Sequence, residues 1–214
     1  MSTTRPITLF HAPNTRSFGT RLLLEELGAP YKLHVLNMKA GDQRKPDFLA
    51  INPLGKVPAI LHGDALVTEQ GAIFTYLADL FPEAGLAPAL DDPRRGPYLR
   101  WMFFYGSCFE PAIVDRAMER EPAPRAMSPY GTYEAVYETI IAQLKKAPYL
   151  FGERITAADL LWGTALTWIT MFKLLPDEEP VKSYIKRINA RPSAAKVRAA
   201  DAALSAEHEA AAQA

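Results

Sequence analysis

Short apolar runs alternate with helical spacings along the first third of the chain. Residues 7–11 (ITLFH) have the pattern of a buried strand, and residues 31–36 alternate between apolar and polar as a second strand does. Between them, residues 21–27 have the spacing of a helix that ends at Gly28, a residue favoured immediately after helices. A strand, a helix and a second strand with short connections predict a parallel pair.

A hairpin and a further helix follow in the pattern. Residues 57–61 and 65–67 flank the turn sequence His62-Gly63-Asp64, and apolar residues then recur at helical spacing from Ile73 to Leu80. The hairpin would add antiparallel strands to the parallel pair. We therefore predict a small α/β domain over residues 1–83.

The remainder of the chain has no convincing strand pattern and predicts an all-helical domain over residues 91–214. A proline-rich linker ends at Asp92-Pro93, a typical helix start, from which one long helix is predicted to run toward Met118, with Pro111 kinking or interrupting it. Ser128-Pro129 has the same start signal and predicts the next helix.

A third helix start is carried by Thr156 and Asp159, which have the spacing of a capping box. The helix that follows is apolar nearly all round, which predicts that it forms the buried axis of the second domain. Residues 181–188 predict another helix, and the alanine-rich residues 199–214 predict a frayed terminal helix or a tail.

Composition and charge exclude several classes of protein. The chain has 24 basic and 24 acidic residues without a basic block, which disfavours binding to nucleic acid or to an anionic membrane. No apolar run is long enough to span a bilayer and the first residues lack a signal-like pattern, so we expect a cytoplasmic protein. The single Cys108 and four scattered histidines predict no metal site.

Three motifs, in order, resemble the soluble glutathione S-transferase family. They are residues 52–60 (NPLGKVPAI), residues 67–82 (VTEQGAIFTYLADLFP) and residues 153–160 (ERITAADL). The resemblance covers nearly the whole chain and is most similar to bacterial members. It implies a thioredoxin-like α/β domain followed by an all-α domain, and a cytoplasmic homodimer that uses glutathione without a metal.

The resemblance also implies where glutathione binds. A cis Pro58 would turn the N–H and C=O of Val57 outward to pair with the peptide backbone. Glu69 would accept from the ammonium group of the ligand, and Gln70 would donate to its carboxylate. The family usually has serine at the position of Gln70, and Glu69 has the alternative role of capping its helix. Three lysines are further candidates for glutathione contacts, with solvation as the alternative: Lys39, Lys45 and Lys56.

The loop before the first helix would hold the sulfur of glutathione. Lowering the pKa of a thiol by ~2 units requires ~2.7 kcal/mol of preference for the anion, and a helix N-terminus with a hydroxyl donor can supply much of it. Ser17 is the first candidate for this donor, although serine also commonly caps helices. Thr15 and Asn14 are the alternatives, and Arg16 is given a minor electrostatic role.

The electrophilic substrate would bind between the two domains. The candidate lining residues, several of which have core packing as the alternative, are Ala12, Pro13, Phe104, Tyr105, Cys108, Phe109 and Trp168. The predicted activity is attack of the glutathione thiolate on a small apolar electrophile. Glutathione-dependent peroxide reduction, double-bond isomerisation and a non-catalytic binding module remain as alternatives.

Overall fold

The first domain of the computed structural model, which describes residues 5–121 and 123–213, is a four-stranded sheet with helices. The sheet order is β2-β1-β3-β4, with β1 parallel to β2 and antiparallel to β3. The elements are β1 (Ile7–His11), α1 (Ser17–Leu27), β2 (Tyr31–Val35), α2 (Pro46–Leu49), β3 (Ala59–His62), β4 (Ala65–Val67) and α3 (Gln70–Leu80). The predicted α/β class is confirmed.

The core of this domain follows from the apolar pattern of the sequence. Leu9 of β1 and Ile60 of β3 are fully buried and share one hydrophobic cluster with Leu22 and Leu23 of α1. Gly28 ends α1 with a φ of 62°, a left-handed conformation that glycine adopts without a steric penalty. The tight α1 to β2 connection therefore keeps β1 and β2 adjacent.

The second domain is helical. Beyond β4, the described residues contain no further strand element, only an isolated bridge between Tyr149 and Gly152. The helices are α4 (Arg95–Phe104), α5 (Glu110–Ala117), α6 (Tyr133–Leu144), α7 (Ala157–Met171), α8 (Glu179–Asn189) and α9 (Pro192–Gln213). None of the helices described is both long and apolar enough to cross a membrane.

Helix α7 is the buried axis predicted from its composition. Asp159 accepts hydrogen bonds from the Thr156 backbone N–H and hydroxyl, both at 2.8 Å, which completes the predicted capping box. The same carboxylate accepts from the Leu150 backbone N–H at 2.7 Å and from the Tyr184 hydroxyl at 2.9 Å. Asp159 therefore joins the start of α7 to the preceding loop and to α8.

One predicted helix start in the second domain is wrong and one predicted helix is confirmed. The long helix expected toward Met118 runs from Arg95 to Ala117, and it is interrupted by a π-helical turn over Tyr105–Phe109 just before Pro111. Helix α6 begins after Thr132 and not at Ser128-Pro129, because the extended Thr132 accepts a hydrogen bond from the Ala135 backbone N–H at 3.2 Å. The cap at Thr132 therefore begins this helix, and the Ser128-Pro129 sequence four residues earlier does not.

The alanine-rich end of the chain is a continuous helix and not a tail. Helix α9 begins at Pro192, well before residue 199, and docks on α1 through ion pairs as well as apolar contacts. Arg191, just before α9, pairs with Glu26 at 2.5 Å, and Asp201 within α9 pairs with Arg21 at 2.8 Å. These long-range pairs hold a segment whose local sequence has little apolar pattern.

Candidate functional site

Two adjoining spaces lie where the domains meet. One is an open cleft of about 1200 Å³ along the first domain, and the other is a smaller cavity of about 280 Å³ between α1, α7 and α9. Arg16, Gln70 and Tyr105 line both of them. These three residues form a wall shared by the two spaces. A ligand group bound beside this wall can therefore contact molecules in either space.

The wall is a hydrogen-bonded polar network. Arg16 pairs with Glu110 at 2.9 Å, and the single proton of the Tyr105 hydroxyl has two acceptors within reach, the Glu110 carboxylate and the Gln70 side-chain oxygen. Burial, and then the Glu110 carboxylate, raise the pKa of Tyr105 well above its ordinary value, so its phenol stays protonated as a donor. The network closes where the Gln70 amide donates to the Arg16 carbonyl at 3.0 Å.

Arg16 has an unused donor at this position. Its Nη1 is buried and has no hydrogen-bond partner among the residues described, while Nη2 is held by Glu110. A buried, unpaired guanidinium N–H is costly unless a ligand satisfies it. No spacing rule in the sequence indicates this position, because Arg16 pairs with Glu110, which is 94 residues away.

The open cleft contains the predicted turn residues. The Val57–Pro58 peptide bond is cis, as the family resemblance implied, and both residues line the cleft together with Lys56. The Asn52 side chain donates to the Lys56 carbonyl at 2.9 Å and so fixes the turn. An extended peptide placed here would meet the backbone of Val57.

Glu69 has an unusual backbone conformation at the cleft wall. Its φ of 63° lies in a region that non-glycine residues rarely adopt, at a cost of about 1–3 kcal/mol, and such residues cluster at functional sites. Its side chain is exposed and makes no capping hydrogen bond to α3. The Glu69 carboxylate therefore does not cap α3, and it is free to accept hydrogen bonds from a ligand.

Gln70 does not have the arrangement predicted from the resemblance. Its amide nitrogen and oxygen are engaged with the Arg16 carbonyl and the Tyr105 hydroxyl, rather than held free in the cleft for a ligand carboxylate. The residue that replaces the family's usual serine instead links α3 to α1 and to the turn after α4. One amide hydrogen and the N-terminal end of α3 remain as donors.

The three candidate sulfur donors lie in different environments. Ser17 is fully buried, and its Oγ lies within hydrogen-bond distance of His11, Ala12 and Thr15, so it faces neither space. Asn14 also lines the smaller cavity, but it is exposed and its side-chain amide donates to Ser205 of α9 at 3.0 Å. Thr15 is half-buried and lines the smaller cavity beside Arg16. Position favours Thr15 over Ser17.

Two of the lysine candidates lie outside the cleft wall. Lys39 is exposed and pairs with Glu209 of α9 at 3.3 Å, and Lys45 pairs with Asp42 at 2.6 Å. Neither lines the cleft, whereas Lys56 does. The solvated alternative is therefore the better description of Lys39 and Lys45.

The predicted electrophile pocket is only partly assembled. Tyr105 and Trp168 line the smaller cavity, but five other candidates do not: Ala12, Pro13, Phe104, Cys108 and Phe109. Phe104 and Phe109 instead pack against Trp162 in the core, and Cys108 contacts the Pro129 carbonyl. Helical spacing could not distinguish core aromatics from lining ones. Phe18, Thr164 and Met171, which the sequence pattern did not single out, also line this cavity.

Comparison with known families agrees with this architecture. Residues 5–79 match the model of the glutathione S-transferase N-terminal domain, and residues 110–192 match that of the C-terminal domain. The chain belongs to the glutathione S-transferase family, with a thioredoxin-like first domain and a helical second domain.

Several characterised proteins are similar along most of their length. A glutathione S-transferase of Hyoscyamus muticus is 30% identical over 190 residues, with 79% of this chain and 86% of that protein covered. The disulfide-bond oxidoreductase YfcG of Escherichia coli K12 is 29% identical over 201 residues, with 87% and 92% covered. A glutathione transferase homologue from Sulfitobacter, solved with bound glutathione, is 28% identical with a TM-score of 0.72, covering 91% and 98%.

The described residues contain no group of three or more potential metal ligands. Two of the four histidines are hydrogen-bonded to side chains, His11 to Asp201 and Ser17, and His62 to Tyr76.

Proposed function

We propose that the chain binds glutathione in the open cleft and transfers its thiolate to an electrophile held in the smaller cavity. The observation that carries this proposal is the wall of Arg16, Gln70 and Tyr105 shared by the two spaces. A tripeptide with its γ-glutamyl end at Glu69 and its backbone at Val57 would bring its sulfur toward this wall. The two reactants would then meet without either leaving its own space.

Thr15 and Arg16 are the groups we assign to the sulfur. The Thr15 hydroxyl lies at the start of α1, where the helix dipole favours an anion, and Arg16 adds a positive charge with an unpaired N–H. Both stabilise a thiolate more than a thiol. The enzyme's contribution would be this electrostatic preference together with orientation of the attacking sulfur.

The smaller cavity supports a mostly apolar electrophile. Phe18, Trp168 and Met171 give it an apolar wall, while Thr164 and Asn189 add polar groups. Peroxides, isomerisable double bonds and disulfides would use the same thiolate, and the last of these is prompted by the similarity to YfcG. We also propose a cytoplasmic homodimer, as the family resemblance implies.

A product assay with four substrates tests the assignment. Purified protein is incubated with glutathione and, separately, an activated aryl halide, cumene hydroperoxide, a β,γ-unsaturated ketone and a small mixed disulfide. We expect thioether formation from the aryl halide. Turnover of only one of the other three would replace conjugation by that reaction. Retention on immobilised glutathione without any turnover would identify a binding module.

Glu69→Gln is expected to weaken glutathione binding by about tenfold, or ~1.4 kcal/mol. The change keeps the shape of the side chain but removes the negative charge that would face the ligand ammonium. Titration calorimetry with glutathione measures the affinity, and turnover at saturating glutathione should stay within about twofold of the parent because the ammonium is remote from the sulfur.

Glu83→Gln is the matched control, since Glu83 is also exposed but lies in the turn after α3 and not in the cleft wall. Its glutathione affinity should be unchanged. Equal affinities of the Glu69 and Glu83 variants would show that Glu69 does not contact the ligand.

A further inference from the structure

A buried chain of hydrogen bonds runs from the last helix to the loop at the shared wall. Asp201 Oδ1 of α9 lies 3.0 Å from His11 Nε2, and His11 Nδ1 lies 2.9 Å from Ser17 Oγ. Ser17 Oγ lies 2.7 Å from Thr15 Oγ1, and Thr15 is one of the residues that line the cavity. The order is therefore carboxylate, imidazole, hydroxyl, hydroxyl and then the position assigned to the sulfur.

The carboxylate fixes the tautomer of the imidazole. An ionised Asp201 only accepts hydrogen bonds, so Nε2 of His11 carries a proton, and the neutral ring then has Nδ1 free as an acceptor. The Ser17 hydroxyl is the group placed to donate to Nδ1. His11 and Ser17 are both fully buried, so solvent does not compete for this nitrogen.

Each hydroxyl has a second partner that allows its proton to move. Thr15 Oγ1 lies 2.7 Å from the Ala12 carbonyl and Ser17 Oγ lies 3.0 Å from it, so each proton has two acceptors within reach. The backbone N–H of Ala12 donates to Ser17 Oγ at 3.1 Å and that of Ser17 donates to Thr15 Oγ1 at 3.2 Å. These bonds hold both oxygens in line.

We propose that His11 takes up the proton of the glutathione thiol through Thr15 and Ser17. This inference rests on the proposed function, which puts the sulfur at Thr15. The thiol proton passes to Thr15 Oγ1, the Thr15 proton to Ser17 Oγ, and the Ser17 proton to His11 Nδ1. A thiolate and an imidazolium are formed, both hydroxyls are regenerated, and no other reactant is required.

Asp201 is the counter-ion of this imidazolium. Its Oδ1 also accepts from Arg21 at 2.8 Å, and Arg21 in turn lies 3.4 Å from the Tyr31 hydroxyl. Asp201 Oδ2 is buried and has no hydrogen-bond partner among the described residues. Arg21 and His11 therefore share one oxygen of this carboxylate, and the chain of hydrogen bonds explains why a helix remote in sequence anchors beside the first loop.

The experiment counts protons when glutathione binds at pH 7. Thiolate is measured by its ultraviolet absorbance, and released protons are measured by calorimetry in buffers of different ionisation enthalpy. We expect thiolate to form with much less than one proton released per thiolate, because the protein retains the proton. His11→Phe and Ser17→Ala break the chain, so any thiolate formed in them should release an equal number of protons.

Glu26→Gln is the control for the anchoring of α9. Glu26 of α1 accepts hydrogen bonds from Arg191 and Ser193, but it is not part of the hydrogen-bond chain that joins Asp201 to Thr15. This variant should have a lower melting temperature and an unchanged proton count. Release of one proton per thiolate by the parent protein would overturn the proton transfer to His11 but not the proposed function. Absence of glutathione binding by the parent protein would overturn the proposed function, and the proton transfer to His11 with it.

Discussion

Thr15→Val is expected to lower the turnover of thioether formation by about 10²–10³-fold, the loss that follows removal of one well-placed donor to a developing anion. Valine keeps the branched shape of threonine but has no hydroxyl to stabilise the thiolate. The ligand's peptide backbone and γ-glutamyl end would keep their contacts at Val57 and Glu69. Affinity for glutathione should therefore change by less than about threefold. Steady-state kinetics at saturating glutathione measure this split.

Thr20→Val is the control for this experiment. Thr20 lies in α1, just after the loop that contains Thr15; it is fully buried, and its hydroxyl has no partner in the described part of the chain. Its replacement removes a hydroxyl without touching either space, so turnover should be retained. Similar turnover of the Thr15 and Thr20 variants would remove Thr15 from the chemistry and return the question to Asn14 and Arg16.

Asp159→Ala is expected to destabilise the fold by at least ~3 kcal/mol, because each buried donor left without an acceptor costs about 1–3 kcal/mol. The carboxylate accepts from Leu150, from Thr156 and from Tyr184, and it is fully buried. For a chain of this length such a loss corresponds to a fall of about 6–12 °C in Tm, measured by calorimetry.

Glu134→Ala provides the comparison for Asp159. Glu134 is also an acid in the first turn of a helix, but it is exposed to solvent. Its replacement should change the free energy of unfolding by less than about 0.5 kcal/mol, as is usual at the surface. If the two variants unfolded at the same temperature, the buried network around Asp159 would not be what holds α7 in place.

The sequence predicted the elements that depend on local pattern. The alternation in residues 31–36, the turn at His62-Gly63-Asp64 and the Thr156-Asp159 cap are each specified by neighbouring residues, and each appears near its predicted position. The start of α6 was misplaced because Ser128 and Thr132 carry similar local signals, and only the structure shows which one caps a helix. The order of the α/β and helical domains followed from these elements.

The site was predicted less completely because its contacts cross long stretches of chain. Arg16 with Glu110 and His11 with Asp201 are separated by 94 and 190 residues, so no spacing rule indicates either pair. Ser17 is the first candidate for the sulfur donor because it lies at a helix start. In the structure Ser17 is buried, and its hydroxyl is directed at His11 and not at either space. The predicted positions of Val57 and Glu69 in the cleft came from the family resemblance.

A crystal structure of the chain with glutathione is the most direct test of the central claim. We expect the sulfur within hydrogen-bonding distance of Thr15 Oγ1 and beside Arg16 Nη1, with the ligand ammonium at Glu69. A tripeptide bound with its sulfur turned away from the wall of Arg16, Gln70 and Tyr105 would contradict the account.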